Sequence, residues 1–271
     1  MRIVILSPSV YSETACAMAA NLAAAGYVPV GALALSSLDS QTALRKVGQW
    51  GLHGVAQYAR AKLIPHRAGH ARTSNLYLEP MLKRGGIVFR NLREVAAFYD
   101  FSVAICKTQN NQDAQIRLRE WSPDLIVFTG GNILRSSVLE IPRLGVLNVH
   151  LGLLPEVRGM SSPEWSLLTN APCGVTIHFM DTGIDTGPIL RRYEFPAASR
   201  CNSLSDLRHR LIAFGVEKIP QAVAALQRGE ISPAPQPNTA DDRQFFVMHD
   251  WLQAKAAESL TNKPRSSQDT A

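Results

Sequence analysis

Short apolar runs alternate with longer amphipathic stretches along most of this chain, and the two periods predict strands and helices in turn. Residues 2–6 form a β-branched run bounded by Ser7-Pro8-Ser9, which reads as a buried first strand. An Ala-rich stretch over 13–25 leads to Gly26, a helix with a glycine stop, and 27–35 reads as a second strand. Strand, helix, strand at this spacing is a βαβ unit and implies a parallel sheet. The alternation resumes with a helix over 91–99, a strand over 102–106, a helix over 113–121 and a strand over 124–128 that ends in Thr129-Gly130-Gly131. A strand over 145–149 runs into a polar bend at 151–159, and further strands are expected over 174–180 and 189–195. A long amphipathic helix spans 203–228, a proline-rich extended linker 231–237 and a short helix 248–259.

The expected fold class is therefore α/β: a Rossmann-like, mostly parallel twisted sheet with helices on both faces, plus a small C-terminal helical extension. Residues 1–230 make the main domain, 231–260 the linker and extension, and 261–271 a polar tail that frays. Within the domain, 36–90 reads as an insertion with helices over 40–49 and 51–63. A polar, basic loop follows from His66 to Asn75, suited either to an anionic substrate or to plain solvation.

Composition adds limits. Apolar residues make up 46% and charged residues 18%, which suits a folded globular chain and excludes a disordered one. Cys16, Cys106, Cys173 and Cys201 are scattered with no paired spacing, so neither a disulfide framework nor a zinc site is expected, and a reducing, cytoplasmic setting fits. His53, His66 and His70 lack a carboxylate or cysteine partner, so no metal is expected there either. The N-terminal apolar run stops after four residues, short of a signal segment, and nothing reads as a membrane span. The net charge of +6 favours anionic partners, or is simply that of a mildly basic protein.

Candidate chemistry lies at the end of the 145–149 strand. An Asn-x-His strand end sends Asn148 and His150 to one face, because side chains alternate with period two. Asp185 lies in the turn-rich loop Asp181-Thr182-Gly183-Ile184-Asp185-Thr186-Gly187-Pro188. An amide, an imidazole and a carboxylate together can run acyl transfer: the amide donates to an oxyanion and the imidazole manages a proton. The same strand end also fits a hydrogen-bonded structural pair. His178 reads as a wall or core position, with a second catalytic base as the alternative.

The segment Asn148-Val-His150-Leu-Gly-Leu-Leu154-Pro155-Glu-Val-Arg158-Gly159, followed by Gly174-Val-Thr-Ile-His178-Phe-Met-Asp181-Thr-Gly-Ile-Asp185, resembles the folate-dependent formyltransferases. Upstream, Pro123 through Leu134 resembles the strand and loop that hold folate in that family. The chain departs from the family pattern at Leu151-Gly152, where many members have proline before serine or glycine. The resemblance implies the formyltransferase fold and a 10-formyltetrahydrofolate co-substrate. It also implies Asn148, His150 and Asp185 as catalytic groups, and pterin binding by Asn132, Ile133, Leu134, Asp181, Gly183 and Ile184. It further implies an amine acceptor, read first as a small molecule such as a nucleotide-linked amino sugar. Methionyl-tRNA, glycinamide ribonucleotide and water (a deformylase) are the alternatives. Nucleic acid is disfavoured because no strand-rich C-terminal barrel is visible, and a homodimer is one reading of an open oligomeric state.

Overall fold

A computed structural model describes residues 1–36, 75–237 and 243–261. The helices expected over 40–49 and 51–63, and the basic loop up to its last residue, lie outside the described residues. Strand β1 (Ile3–Ser7) is wholly buried, and α1 (Glu13–Ala24) starts where the Ser12 side chain accepts from the Ala15 N–H. The second strand, β2, runs only from Gly31 to Leu35. Its first residue lies against the Trp121 ring, where a Cβ would come within 2.5 Å of the indole, so only glycine lets the strand enter the sheet here. Then follow α2 (Leu92–Tyr99), β3 (Ser102–Cys106), α3 (Gln112–Trp121), β4 (Leu125–Phe128) and β5 (Gly145–His150). The chain continues through α4 (Ser162–Leu168), β6 (Gly174–Phe179), β7 (Ile189–Glu194), α5 (Leu204–Gln227) and α6 (Asp250–Thr261).

Seven strands form one sheet in the order β7-β6-β5-β4-β1-β2-β3. The five strands from β5 to β3 pair in parallel, while at the other edge β6 pairs antiparallel with β5 and β7 antiparallel with β6. The chain leaves β1 toward β2 and β3, then returns to place β4 on the opposite side. The carboxyl ends of β1 and β4 therefore flank the point where strand order reverses, where open α/β sheets form a crevice. Alternation along β1 divides the core: Ile3 and Ile5 pack with α1 and α5 on one face, Val4 and Leu6 with Ala114, Leu118 and Val138 on the other. Each such fully buried aliphatic side chain contributes about 1.5–3 kcal/mol.

The C-terminal part is bound to this core. Ala234 and Ile189 exchange backbone hydrogen bonds of 2.8 Å in each direction, so the proline-rich stretch lies against the start of β7. A two-residue strand, Gln244–Phe245, pairs in parallel with Arg158–Gly159, and α6 buries Ala256 and Leu260 in a cluster with Leu167 of α4. Apolar periodicity is silent about such two-residue pairings. Gly159 is the tight point, with φ +101° and the Phe245 carbonyl oxygen 2.2 Å from where a Cβ would stand. Gly159→Ala is expected to cost roughly 2–4 kcal/mol, combining backbone strain with overpacking. Denaturant unfolding measures it, and an unchanged midpoint would show that the pairing gives way freely.

Candidate active site

Asn148 and His150 leave β5 on the same face, opposite His178 and Thr176 of the antiparallel neighbour β6. Beyond β5 the chain turns back over the imidazole. Thr176 holds this bend, its hydroxyl donating to the Gly152 carbonyl (2.7 Å) and accepting from the Leu154 N–H (3.0 Å). A Cβ on Gly152 would stand 2.9 Å from the Val157 oxygen and 3.0 Å from His150 Nε2. Glycine is therefore what lets the bend wrap the ring.

His150 is buried, with Nε2 2.7 Å from the Val157 carbonyl oxygen. A carbonyl only accepts, so Nε2 carries the proton. Ser162 Oγ lies 3.1 Å from the same nitrogen and donates to the Gly159 carbonyl at 2.8 Å. The other nitrogen, Nδ1, faces Asp185 Oδ2 at 3.4 Å. His178 repeats the arrangement: Nδ1 donates to the Phe179 carbonyl at 2.9 Å, leaving Nε2 to accept from the Asn148 amide at 3.2 Å and to face Asp185 Oδ1 at 3.6 Å. In their neutral forms both rings thus turn a lone pair toward one carboxylate. A proton delivered at this point is held among three basic groups.

The electrostatics follow from burial. Desolvation takes His150 below the usual imidazole value, although Asp185 and the Val157 hydrogen bond pull it upward. Burial also pushes the Asp185 carboxyl up, but His178, His150 and the Gly159 N–H (3.2 Å) outweigh it and hold the group below the usual carboxylate value. His150 is neutral and Asp185 ionised at neutral pH. Asp185 reaches this position in a left-handed backbone conformation, φ +54°, which costs an L-residue roughly 1–2 kcal/mol and is most readily adopted by Asp and Asn.

Two loops flank these groups. In the first, Asn132 N–H donates to the Gln109 side chain (3.0 Å), and Asn110 Nδ2 donates to the Ile133 carbonyl (2.8 Å). The Ile133 side chain is 82% exposed, whereas Leu134 is buried in the cluster that Met180 joins. In the second, Asp181 Oδ1 accepts from the Gly183 N–H (3.0 Å) and the Thr186 hydroxyl (2.7 Å), a turn that leaves Ile184 about half exposed. The six residues expected to hold a pterin therefore lie on two loops, and Leu134 of the first and Met180 just before the second join the same apolar cluster. Asn148 also borders a cavity of about 230 Å³ lined by Thr14, Met18, Phe128, Ile212 and Val216.

The sequence profile described as Formyl transferase matches residues 83–223, half of the chain. This chain belongs to the formyl transferase family. It is 38% identical over 121 residues to a methionyl-tRNA formyltransferase from Pelobacter propionicus, covering 44% of this chain and 38% of that one. The chain spans about half the length or less of the curated relatives it matches first. Its fold is similar to that of glycinamide ribonucleotide transformylase 1 from Symbiobacterium toebii, with TM-score 0.56 and 16% identity over 88% of this chain and 95% of the other. It is also similar to an N-formyltransferase from Helicobacter canadensis crystallised with folinic acid and dTDP-3-aminofucose. There the TM-score is 0.53 at 15% identity, over 91% of this chain and 71% of the other.

Within this family setting, the structure gives several residues contacts that the sequence reading did not specify. His178, read as a wall position, touches both Asn148 and Asp185. Its phase on β6, directly across from Asn148, was the available signal, and it needed the register to become visible. Asn110 tethers the first loop through both its amide nitrogen and its oxygen, which accepts from the Arg135 N–H at 2.8 Å. Arg192 pairs with Glu156 at 2.8 Å. Trp165 stacks on Phe245 at 4.8 Å, and its indole N–H donates to the Phe246 carbonyl. All four cysteines are buried, and burial pushes the Cys16 thiol up to about 12, which makes it a poor nucleophile. Among the described residues no cluster suited to a metal ion occurs, and no helix is long and apolar enough to cross a membrane.

Proposed function

We propose that this chain transfers a formyl group from 10-formyltetrahydrofolate to the amine of a small molecule. The observation that carries the reading is the meeting of Asn148, His150 and Asp185, through His178, at the carboxyl end of β5. The amine nitrogen attacks the formyl carbon, the bond from that carbon to N10 of the folate breaks, and one proton passes from the amine to N10. Asn148, which borders the cavity, donates to the formyl oxygen as it gains negative charge. His150 and Asp185, with His178, hold the proton between its departure and its delivery. The loops at Asn132–Leu134 and Asp181–Ile184 hold the pterin largely through backbone groups.

A small acceptor is supported by the cavity, whose described lining carries no Lys or Arg to grip a phosphate. A second reading, methionyl-tRNA as acceptor, is supported by the names of the curated relatives. The test incubates the chain with 10-formyltetrahydrofolate and a panel of amines, charged initiator tRNA and a water-only control, following tetrahydrofolate release. Release that depends on a small amine supports the first reading, and release that depends on tRNA supports the second. Release in water alone makes the chain a deformylase. No release with any acceptor overturns the assignment.

A further inference from the structure

The segment after α5 does more than close the fold. Gln236 Nε2 lies 2.8 Å from the Asp185 carbonyl oxygen and 2.8 Å from the Gly187 carbonyl oxygen. Two carbonyls at that distance can be met only by a donor, so the amide nitrogen faces both. Its Oε1 is buried without a protein partner, so what the side chain supplies to this loop is its pair of N–H groups. Two residues earlier, the paired backbone bonds between Ala234 and Ile189 fix the height at which Gln236 meets the loop. The clasped backbone is the one in left-handed conformation at Asp185. Besides the two imidazoles, the carboxylate meets the Gly159 N–H, and Gly159 is itself paired with Phe245 of the same C-terminal segment.

We propose that Gln236 is a positioning residue: by clasping the backbone at and beyond Asp185 it holds the carboxylate against His150 and His178. The inference rests on the transfer reading above for its bearing on catalysis, but the placement of Asp185 is a property of the chain alone. Loss of the clasp lets the loop relax toward an ordinary backbone conformation and carries the carboxylate away from the imidazoles. The titratable groups acting on His150 are Asp185, which favours its charged form, and His178, which opposes it.

The test compares wild type with Gln236→Ala and with Gln236→Met, which keeps the bulk and removes the donor. The ring nitrogens of His150 are followed by NMR through a pH titration with no ligand present. Both variants are expected to titrate His150 at lower pH than wild type, by about 0.5–1 unit, because the nearby negative charge has moved off. With an acceptor in hand, kcat is expected to fall about 10- to 100-fold, with the folate KM little changed. An unchanged His150 titration in both variants overturns the proposal, whatever happens to the melting temperature. A shift in Gln236→Ala but not in Gln236→Met also overturns it, since packing and not the donor would then place the loop. A wild type that transfers no formyl group would fail the functional reading, while the titration would still decide what Gln236 does.

Discussion

His150→Ala is expected to lower kcat by about 10²- to 10⁴-fold, the range that positioned proton transfer supplies. The size follows from where the ring stands: its Nδ1 faces the Asp185 carboxylate at 3.4 Å, and no other described group reaches both that carboxylate and the Val157 carbonyl. Truncation also leaves the Val157 carbonyl without its buried donor, a cost of about 1–3 kcal/mol, so kcat is measured well below the variant's own melting temperature. The pH profile of the wild type carries the same information. His150 acts as a base when neutral, and burial sets its titration below the usual imidazole value. The acid limb of kcat is therefore expected below that value and is absent in His150→Ala. Stability moves in the same direction. Both His150 and Asp185 have depressed values in the folded state, so their contributions are present above the unfolded values and are lost as pH falls through the folded ones. Turnover that stays near wild type in His150→Ala would make the ring a structural post for the bend at 151–159.

Asn148→Ala is expected to lower kcat by about 10²- to 10³-fold with the folate KM nearly unchanged, the signature of a donor that acts mainly in the transition state. One of its amide hydrogens is directed at His178 Nε2 (3.2 Å), which fixes the plane of the amide beside the cavity. His178→Ala is then expected to produce a smaller loss by freeing that amide, and steady-state kinetics on the single and double variants would show the two effects falling short of additivity. Full additivity would mean that His178 and Asn148 work separately. An Asn148→Ala enzyme limited only in KM would place the amide in acceptor binding rather than at the developing oxyanion.

Much of the sheet was legible from local pattern, because a strand buried on both faces must be apolar throughout and its turns must be polar. Residues 2–6 and 124–128 announce β1 and β4 within a residue or two. The pairing of Asn148 with His150 on one face likewise follows from period two alone. Sequence patterning also located the Asp185 loop, though not its distance from His150. What local pattern could not contain is any contact whose partners lie far apart in the chain with no periodic signature. Gln236 clasping Asp185, Phe245 pairing beside Gly159 and His178 orienting Asn148 are of this kind. A single hydrogen bond across 50 residues leaves no mark in the residues around either end.

By itself, then, the sequence determined the α/β class, the strand that carries Asn148 and His150, and the residue types available for acyl transfer. Only the tertiary structure decided the protonation geometry. Which nitrogen of each histidine carries its proton depends on the backbone carbonyl it meets, and those carbonyls belong to Val157, in a bend held by Thr176, and to Phe179. The fold also decided that one carboxylate serves two imidazoles. That follows from a strand register and a loop clasp, and both exist only once distant parts of the chain are packed together.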